Sequence, residues 1–317
     1  MTAPAISIIL PTFNRLKYLR LTVDSVFAQT FVDWELLVAD DGSDEETRAY
    51  LKGLESLPRV KLIWLSHSGN PSAVRNAALR EARGDYIAFL DSDDMWMPTK
   101  LERQIDVLRA GSHRRWIYTG YVRIGDTGEA NTLPSPKPWI PYRGAISEQL
   151  LRLEAAVATA SVLVERHLLA QAGDFDEELL MFEHYDLWLR LARYSEVELI
   201  DEPLTCLRSH GQHYSQEGIP MLAGRCQLLS KQRGRVTDPR LRLIIEQLYA
   251  RSALSLANMH ANTDRCEAMK TLIGSGSNSV RNLDWWRRAL LVLLKIAVPR
   301  RVLTLYRRGR IRPPVGA

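Results

Sequence analysis

Residues 85–94 read Asp85-Tyr86-Ile87-Ala88-Phe89-Leu90-Asp91-Ser92-Asp93-Asp94, an apolar segment that runs directly into three carboxylates. The apolar part, Asp85 to Leu90, has the length and residue types of a buried strand. Side chains alternate along a strand, so Asp91 and Asp93 are expected on one side, where they can share a hard cation such as Mg²⁺ or Mn²⁺. Such a cation keeps positions open for phosphate oxygens, which points to a site handling a nucleoside diphosphate. The same residues also read as an Asp/Ser-rich helix cap, because Met95 onward looks helical and Pro98 suits a first turn. On these residues alone the two readings stand level.

The flanking sequence supplies the architecture. Ile6 to Leu10 is a β-branched run stopped by Pro11, and Leu16, Leu19, Val23, Val26 and Phe27 follow at helical spacing. Trp34–Ala39 repeats the strand signal, Asp40–Ser43 is a turn, and Glu45–Leu54 reads as a helix with acids in its first turn. Val60–Leu65 is a third strand and Ser72–Arg83 a third helix. Strands alternating with helices of this length predict an α/β fold with a doubly wound, mostly parallel sheet. Ligands of such sheets sit beyond the strands' carboxyl ends, where Pro11–Asn14, Asp40–Ser43 and Asp91–Asp94 all fall. Further on, Leu101–Leu108 reads as a helix, Trp116–Ile124 as a strand, Asn131–Pro141 as a proline-rich loop and Glu183–Arg193 as an amphipathic helix. From Pro220 the pattern is helical, and Gly274–Ser279 separates a basic tail. The expected organisation is a main domain over 1–219, a C-terminal helical extension over 220–280 and a basic amphipathic tail over 281–317.

Composition narrows the class. A chain of 317 residues with 46% hydrophobic content supports a sizeable core. Its three cysteines have neither CxxC spacing nor disulfide density, which indicates a reducing compartment and no zinc site. The N-terminus lacks a basic segment and a signal-peptide core, and no run reaches membrane-span length, so the expected location is cytoplasmic. The formal charge is +5, but residues 281–317 hold ten Lys/Arg against the single acid Asp284, about +9, leaving about −4 elsewhere. The basicity therefore belongs to the tail and does not argue for nucleic acid as a partner.

An ordered series of motifs resembles the family 2 glycosyltransferases, inverting enzymes of the nucleotide-diphospho-sugar transferase fold. It comprises Ser7–Arg15 (SIILPTFNR), Val26–Thr30 (VFAQT), Ala39–Ser43 (ADDGS), Ala73–Ala78 (AVRNAA), Ala82–Asp94 (ARGDYIAFLDSDD) and Gly173–Asp176 (GDFD), and the match covers roughly residues 5–215. The resemblance implies a nucleotide-sugar donor, most simply a UDP-sugar, a growing cell-surface glycan or lipid-linked acceptor, and Mn²⁺ or Mg²⁺ as cofactor. It implies that Pro11, Thr12, Phe13 and Asn14 line the nucleotide, with Asp41 accepting from the base, since a carboxylate is acceptor-only at neutral pH. Arg75 and Asn76 then reach the nucleotide and its phosphates, with Ser92 beside them. Asp91 and Asp93 match the family's metal carboxylates, and His210 in Leu207–Ser215 matches a histidine that completes the metal shell, where an imidazole favours Mn²⁺.

One position departs from the family. An Asp that serves as general base usually precedes a helix of the Asp-Leu-Trp-Leu-Arg type, and here Phe182-Glu183-His184-Tyr185-Asp186-Leu187-Trp188-Leu189-Arg190 puts His184 in its place. A neutral histidine can take a proton near pH 7, so His184, Glu183 and Asp186 are all candidate bases, although Asp186 is also spaced for an ion pair with Arg190. A transferase-inactive accessory subunit that only binds the sugar nucleotide is the alternative, whereas a dinucleotide oxidoreductase lacks its glycine-rich loop. Trp116, Trp139 and Tyr142 are candidates to stack on sugars or simply to pack. In the tail, Trp285, Trp286 and leucines interleave with basic residues, as in a helix attracted to an anionic membrane surface, with packing on the protein or within a homo-oligomer as the other reading.

Overall fold

A computed structural model describes residues 3–111, 113–126, 140–209, 218–276 and 283–297. The chain forms two compact units, Met1–Tyr214 and Ser215–Ala317. In the first unit, β1 (Ile6–Thr12), α1 (Leu16–Phe27), β2 (Trp34–Asp40), α2 (Glu45–Leu54), β3 (Val60–Trp64), α3 (Pro71–Leu79) and β4 (Tyr86–Phe89) alternate as the sequence predicts. There follow β5 (Met95–Trp96), α4 (Lys100–Arg109), β6 (Trp116–Ile124), α5 (Ser147–Leu151), β7 (Leu163–Glu165), α6 (Arg166–Ala172), α7 (Glu183–Leu191) and β8 (Val197–Arg208). All eight strands join one sheet in the order β3-β2-β1-β4-β7-β6-β8-β5.

The helices start where local chemistry dictates. Asp44 caps α2 by accepting from Thr47 N at 2.8 Å, and Asn70 caps α3 ahead of Pro71. Strands β1 and β2 are buried on both faces, which explains their continuous apolar runs. The β3-β2-β1-β4 half is parallel, with Thr12 opposite Asp40 and Ile9 opposite Phe89. The loops after these strands therefore end together, which creates the expected crevice. Beyond β4 the long β6–β8 pair is again parallel, while β7 runs antiparallel to both β4 and β6, and β5 pairs antiparallel with β8. The sheet is mixed.

Two expectations change. Met95 and Trp96 form a strand, not the start of a helix, because their backbone pairs with Cys206 and Thr205 of β8; the helix begins only at Lys100. The proline-rich loop lies mostly outside the described residues. Trp116 is a core residue, stacked on Trp188 with its indole N–H donating to Ser195 O at 3.1 Å, so it is unavailable to a sugar. Tyr142 joins Tyr118 through backbone hydrogen bonds, and Trp139 lies outside the described residues.

Lys100 is fully buried. Its Nζ donates to Gln104 Oε1 at 2.7 Å and sits 4.1 Å from the Trp96 ring centre. Burial pushes its pKa well below the ordinary lysine value. The folded state thus binds less proton than the unfolded state, and this group makes stability rise with pH up to the unfolded lysine range. Lys100→Met should flatten the rise in urea stability between pH 7 and 9 relative to wild type, by at most about 1.4 kcal/mol per pH unit. Parallel stability profiles for the two proteins would show that the lysine does not titrate there.

The second unit is helical: α8 (Ile219–Arg235), α9 (Pro239–His260), α10 (Arg265–Gly276) and α11 (Leu283–Ala297). Its core joins Ala250, Leu254 and Ala257 of α9 and Ala268 and Leu272 of α10 to Trp285, Ala289 and Val292 of α11. The start of the tail is thereby part of this helical core, and the Gly/Ser stretch is helical as far as Gly276. Among the described residues no helix is long and apolar enough to cross a membrane.

Candidate active site

The crevice is floored by the residues that end β1, β2 and β4. Pro11 and Thr12 close β1, and the Thr12 hydroxyl is buried with no hydrogen-bond partner among the described residues. Asn14 takes a left-handed conformation (φ 49°), donating its N–H to Ser43 Oγ at 3.0 Å and accepting from Asp44 N at 2.6 Å. Asp40 accepts from Ser43 N at 3.2 Å and pairs with Arg48, so it stabilises the turn. Gly42 has φ 78°, and a Cβ there would meet His67 N at 2.8 Å, which is why the Asp-Gly pair is required.

Asp41 anchors the neighbouring loop. One carboxylate oxygen accepts from Ser68 N (2.8 Å) and Ser68 Oγ (2.9 Å), the other from Gly69 N (2.9 Å), with His67 Nδ1 3.1 Å away. Asp41 thus orders the 67–69 loop, and with about four lone-pair sites on its two oxygens it keeps room to accept a further donor. This holds the His67 ring stacked on Phe13 at 4.1 Å. Asn76 is committed: its amide bonds both N and O of Phe175 at 2.9 Å and also Glu177 Oε1, so it fixes the Gly173–Asp176 motif and does not face the crevice.

The acidic motif is a turn, since Asp94 N donates to Asp91 O at 3.1 Å. Strand alternation therefore does not set the directions of Asp91 and Asp93. Instead each carboxylate meets an arginine: Asp91 accepts from Arg75 Nη2 at 2.6 Å, and Asp93 from Arg15 Nη1. Asp94 anchors the turn by accepting from Arg208 N at 2.9 Å, while Arg208 Nε donates to Asp93 O. Burial, then the charges of Asp93 and Asp91, push the Asp94 pKa well above the carboxylate range. Ser92 is buried within the turn.

Arg75 is the hub. Its guanidinium lies 5.3 Å from the Phe175 ring centre, donates to Asp91 and reaches Glu183 Oε1 at 3.3 Å. Burial opposes its charge, but Asp91 and Glu183 more than offset this and raise its pKa. Its Nε has no partner among the described residues. Glu183 begins α7 after Phe182 in the left-handed region (φ 62°), and its carboxylate lies 3.6 Å from His184 Nδ1. Burial would raise the Glu183 pKa, yet hydrogen bonding and charge from His184, together with Arg75, hold it down at about 2. Asp186 is not brought to this site. It is fully buried and bonded to Arg190 at 2.8 Å, whose other nitrogens donate to the carbonyls of Ala172, Gly173 and Asp174.

Arg15 and His67 are functional candidates that the residue-by-residue reading did not single out. Arg15 stood in a quoted motif and signalled itself only by adjacency, and His67 carried no signal. His210 lies outside the described residues. Among the described residues no three His, Cys, Asp or Glu side chains form a metal cage. A hard cation at Asp91 and Asp93 would exchange places with Arg75 and Arg15 as their counter-charges, and the unpartnered Nε of Arg75 suits a phosphate oxygen beside it.

A sheet whose parallel half gathers polar loops and an acidic turn at one edge is the architecture of the nucleotide-diphospho-sugar transferase, or GT-A, class. The chain belongs to glycosyl transferase family 2, whose family model matches residues 7–164. The Escherichia coli protein named UDP-Glc:alpha-D-GlcNAc-diphosphoundecaprenol beta-1,3-glucosyltransferase WfgD is 32% identical over 202 residues, covering 63% of this chain and 75% of that protein. An uncharacterized glycosyltransferase of Rickettsia felis is 27% identical over 215 residues, covering 68% of this chain but only 36% of its own length. Staphylococcal TarS 1–349, from S. aureus and solved in complex with UDP, matches with a TM-score of 0.64 at 17% identity, covering 97% of this chain and 93% of that one. At that identity the likeness concerns the fold alone.

Proposed function

We propose that this chain transfers a sugar, with inversion, from a nucleoside-diphosphate donor of the UDP-sugar type to a hydroxyl of a cell-surface glycan or its lipid-linked precursor. The observation that carries the reading is the unbroken line Asp91–Arg75–Glu183–His184, which joins a phosphate-side carboxylate to a candidate base. The activity in the name of the Escherichia coli relative and the UDP complex of TarS support the donor class. Asp91 and Asp93 would hold a divalent cation, Mn²⁺ or Mg²⁺, which when bound offsets charge on the departing diphosphate.

The protein's own groups divide the remaining work. Arg75, a fixed fork of donors, orients the diphosphate. Phe13 and His67 offer a stacked wall to the base. Glu183 is committed to Arg75 at 3.3 Å and lies 3.6 Å from His184 Nδ1. It orients the His184 ring, and His184 takes the acceptor proton, as an imidazole can at neutral pH.

His184→Ala is therefore expected to lower kcat by about 10²–10⁴-fold while nucleotide affinity stays within a few-fold of wild type. Release of UDP from UDP-sugars with a panel of glycan acceptors, alongside calorimetric UDP binding, measures both quantities. An unchanged kcat removes His184 from the chemistry. Wild-type binding without release on any acceptor would make the chain a sugar-nucleotide-binding subunit instead.

A further inference from the structure

The helical unit carries a surface that the transfer reading does not use. On α11, Trp285, Ala289 and Val292 face the core, while Trp286 (48% exposed), Leu290 (58%), Leu291 (60%) and Leu294 (51%) face outward. Trp286, Leu290 and Leu294 recur every fourth residue, so they form one ridge along the helix. Ordinary soluble surfaces scatter such residues singly; four large apolar side chains in three turns mark a contact surface.

Charge identifies what that surface fits. Ser215–Ala317 holds 19 of the chain's 42 Lys/Arg and only 6 of its 37 Asp/Glu, so the first unit is net acidic and the second strongly basic. Arg287 and Arg288 are exposed beside the ridge, and residues 298–317, directly after α11, add six arginines and no acid. A second copy of this face would bring like charges together. A polyanion without an apolar phase would leave the ridge in water. A bilayer with anionic headgroups satisfies both features, accepting Trp and Leu at the acyl boundary and Arg at the phosphates.

We infer that the outward face of α11 is a docking surface for an anionic lipid bilayer, with Trp286, Leu290 and Leu294 entering its interface and Arg287 and Arg288 beside them at the headgroups. The inference stands independently of the transfer chemistry. Flotation of the full chain with phosphatidylglycerol-containing vesicles and with phosphatidylcholine-only vesicles tests it, at low and high salt. Binding is expected to the anionic vesicles, weakened by salt, and lowered at least about tenfold in the double variant Leu290→Glu/Leu294→Glu. Both leucines are exposed, so the variant should fold, and circular dichroism and UDP affinity verify that it does. Absence of binding to anionic vesicles overturns the inference. Equal binding by the double variant overturns the ridge's role, and self-association that the double variant abolishes would assign the ridge to a second copy.

Discussion

Asp91→Ala and Asp93→Ala enzymes are expected to lose transfer by on the order of 10²–10³-fold in kcat, an effect comparable to removing one group that stabilises transition-state charge. The two should differ in a second property. Asp91 is the shortest counter-charge contact of Arg75, whose side chain is 7% exposed, whereas Arg15, the partner of Asp93, is 30% exposed. Removing Asp91 leaves a buried guanidinium to Glu183 alone at 3.3 Å, while removing Asp93 releases an arginine that water can reach. Asp91→Ala should therefore also lower urea stability, and Asp93→Ala should leave it nearly unchanged. Turnover near wild type in either variant, at saturating Mn²⁺ or Mg²⁺, would remove that carboxylate from the site.

Arg190→Ala is expected to cost about 3–5 kcal/mol of stability, a large part of the roughly 5–15 kcal/mol typical of a domain. The substitution leaves Asp186 charged and fully buried, and it strips donors from three consecutive carbonyls at Ala172, Gly173 and Asp174. Those carbonyls lead into Phe175, which packs edge-on against Phe89 and lies under Arg75. Loss of stability should thus be accompanied by weaker nucleotide binding in whatever fraction remains folded. Equilibrium urea unfolding followed by tryptophan fluorescence measures the first effect, and a loss below about 1 kcal/mol would show that the segment is held by other contacts.

The alternation of β1 to β4 with α1 to α3 was legible because each element announces itself locally, by buried β-branched runs and by caps such as Asn70-Pro71. Strand β8 was not, because Asp201, Glu202 and Pro203 interrupt its apolar pattern. They fall at a register shift opposite Thr119 and Gly120, where the ladder tolerates a proline and where Gly120 lets Glu202 O approach. At the candidate site, residue type and order singled out Asp91, Asp93 and Arg75, and the structure pairs Asp91 with Arg75 and Asp93 with Arg15. Asn76 and Asp186 carry suitable chemistry, yet the scaffold claims it: Phe175 and Glu177 for the amide, and for the carboxylate Arg190, whose other bonds reach beyond its own helix. Such competition between ligand and scaffold is a tertiary property, invisible to motif spacing. The motif Gly173–Asp176 shows the same point, since its Phe175 supports Arg75 from beneath.

The reversal at β7 makes the two edges of the sheet unequal partners in change. Because β7 is antiparallel to β4 and β6 while β6 and β8 run parallel, strands β1, β2, β4, β6 and β8 all finish on one side. That side carries the ends of β6 at Ile124 and of β8 at Arg208 together with the crevice loops. The opposite side is stitched by short connections, such as Gly84, where a Cβ would lie 2.5 Å from Ser7 N. Single-residue insertions near Gly84 should therefore abolish cooperative urea unfolding.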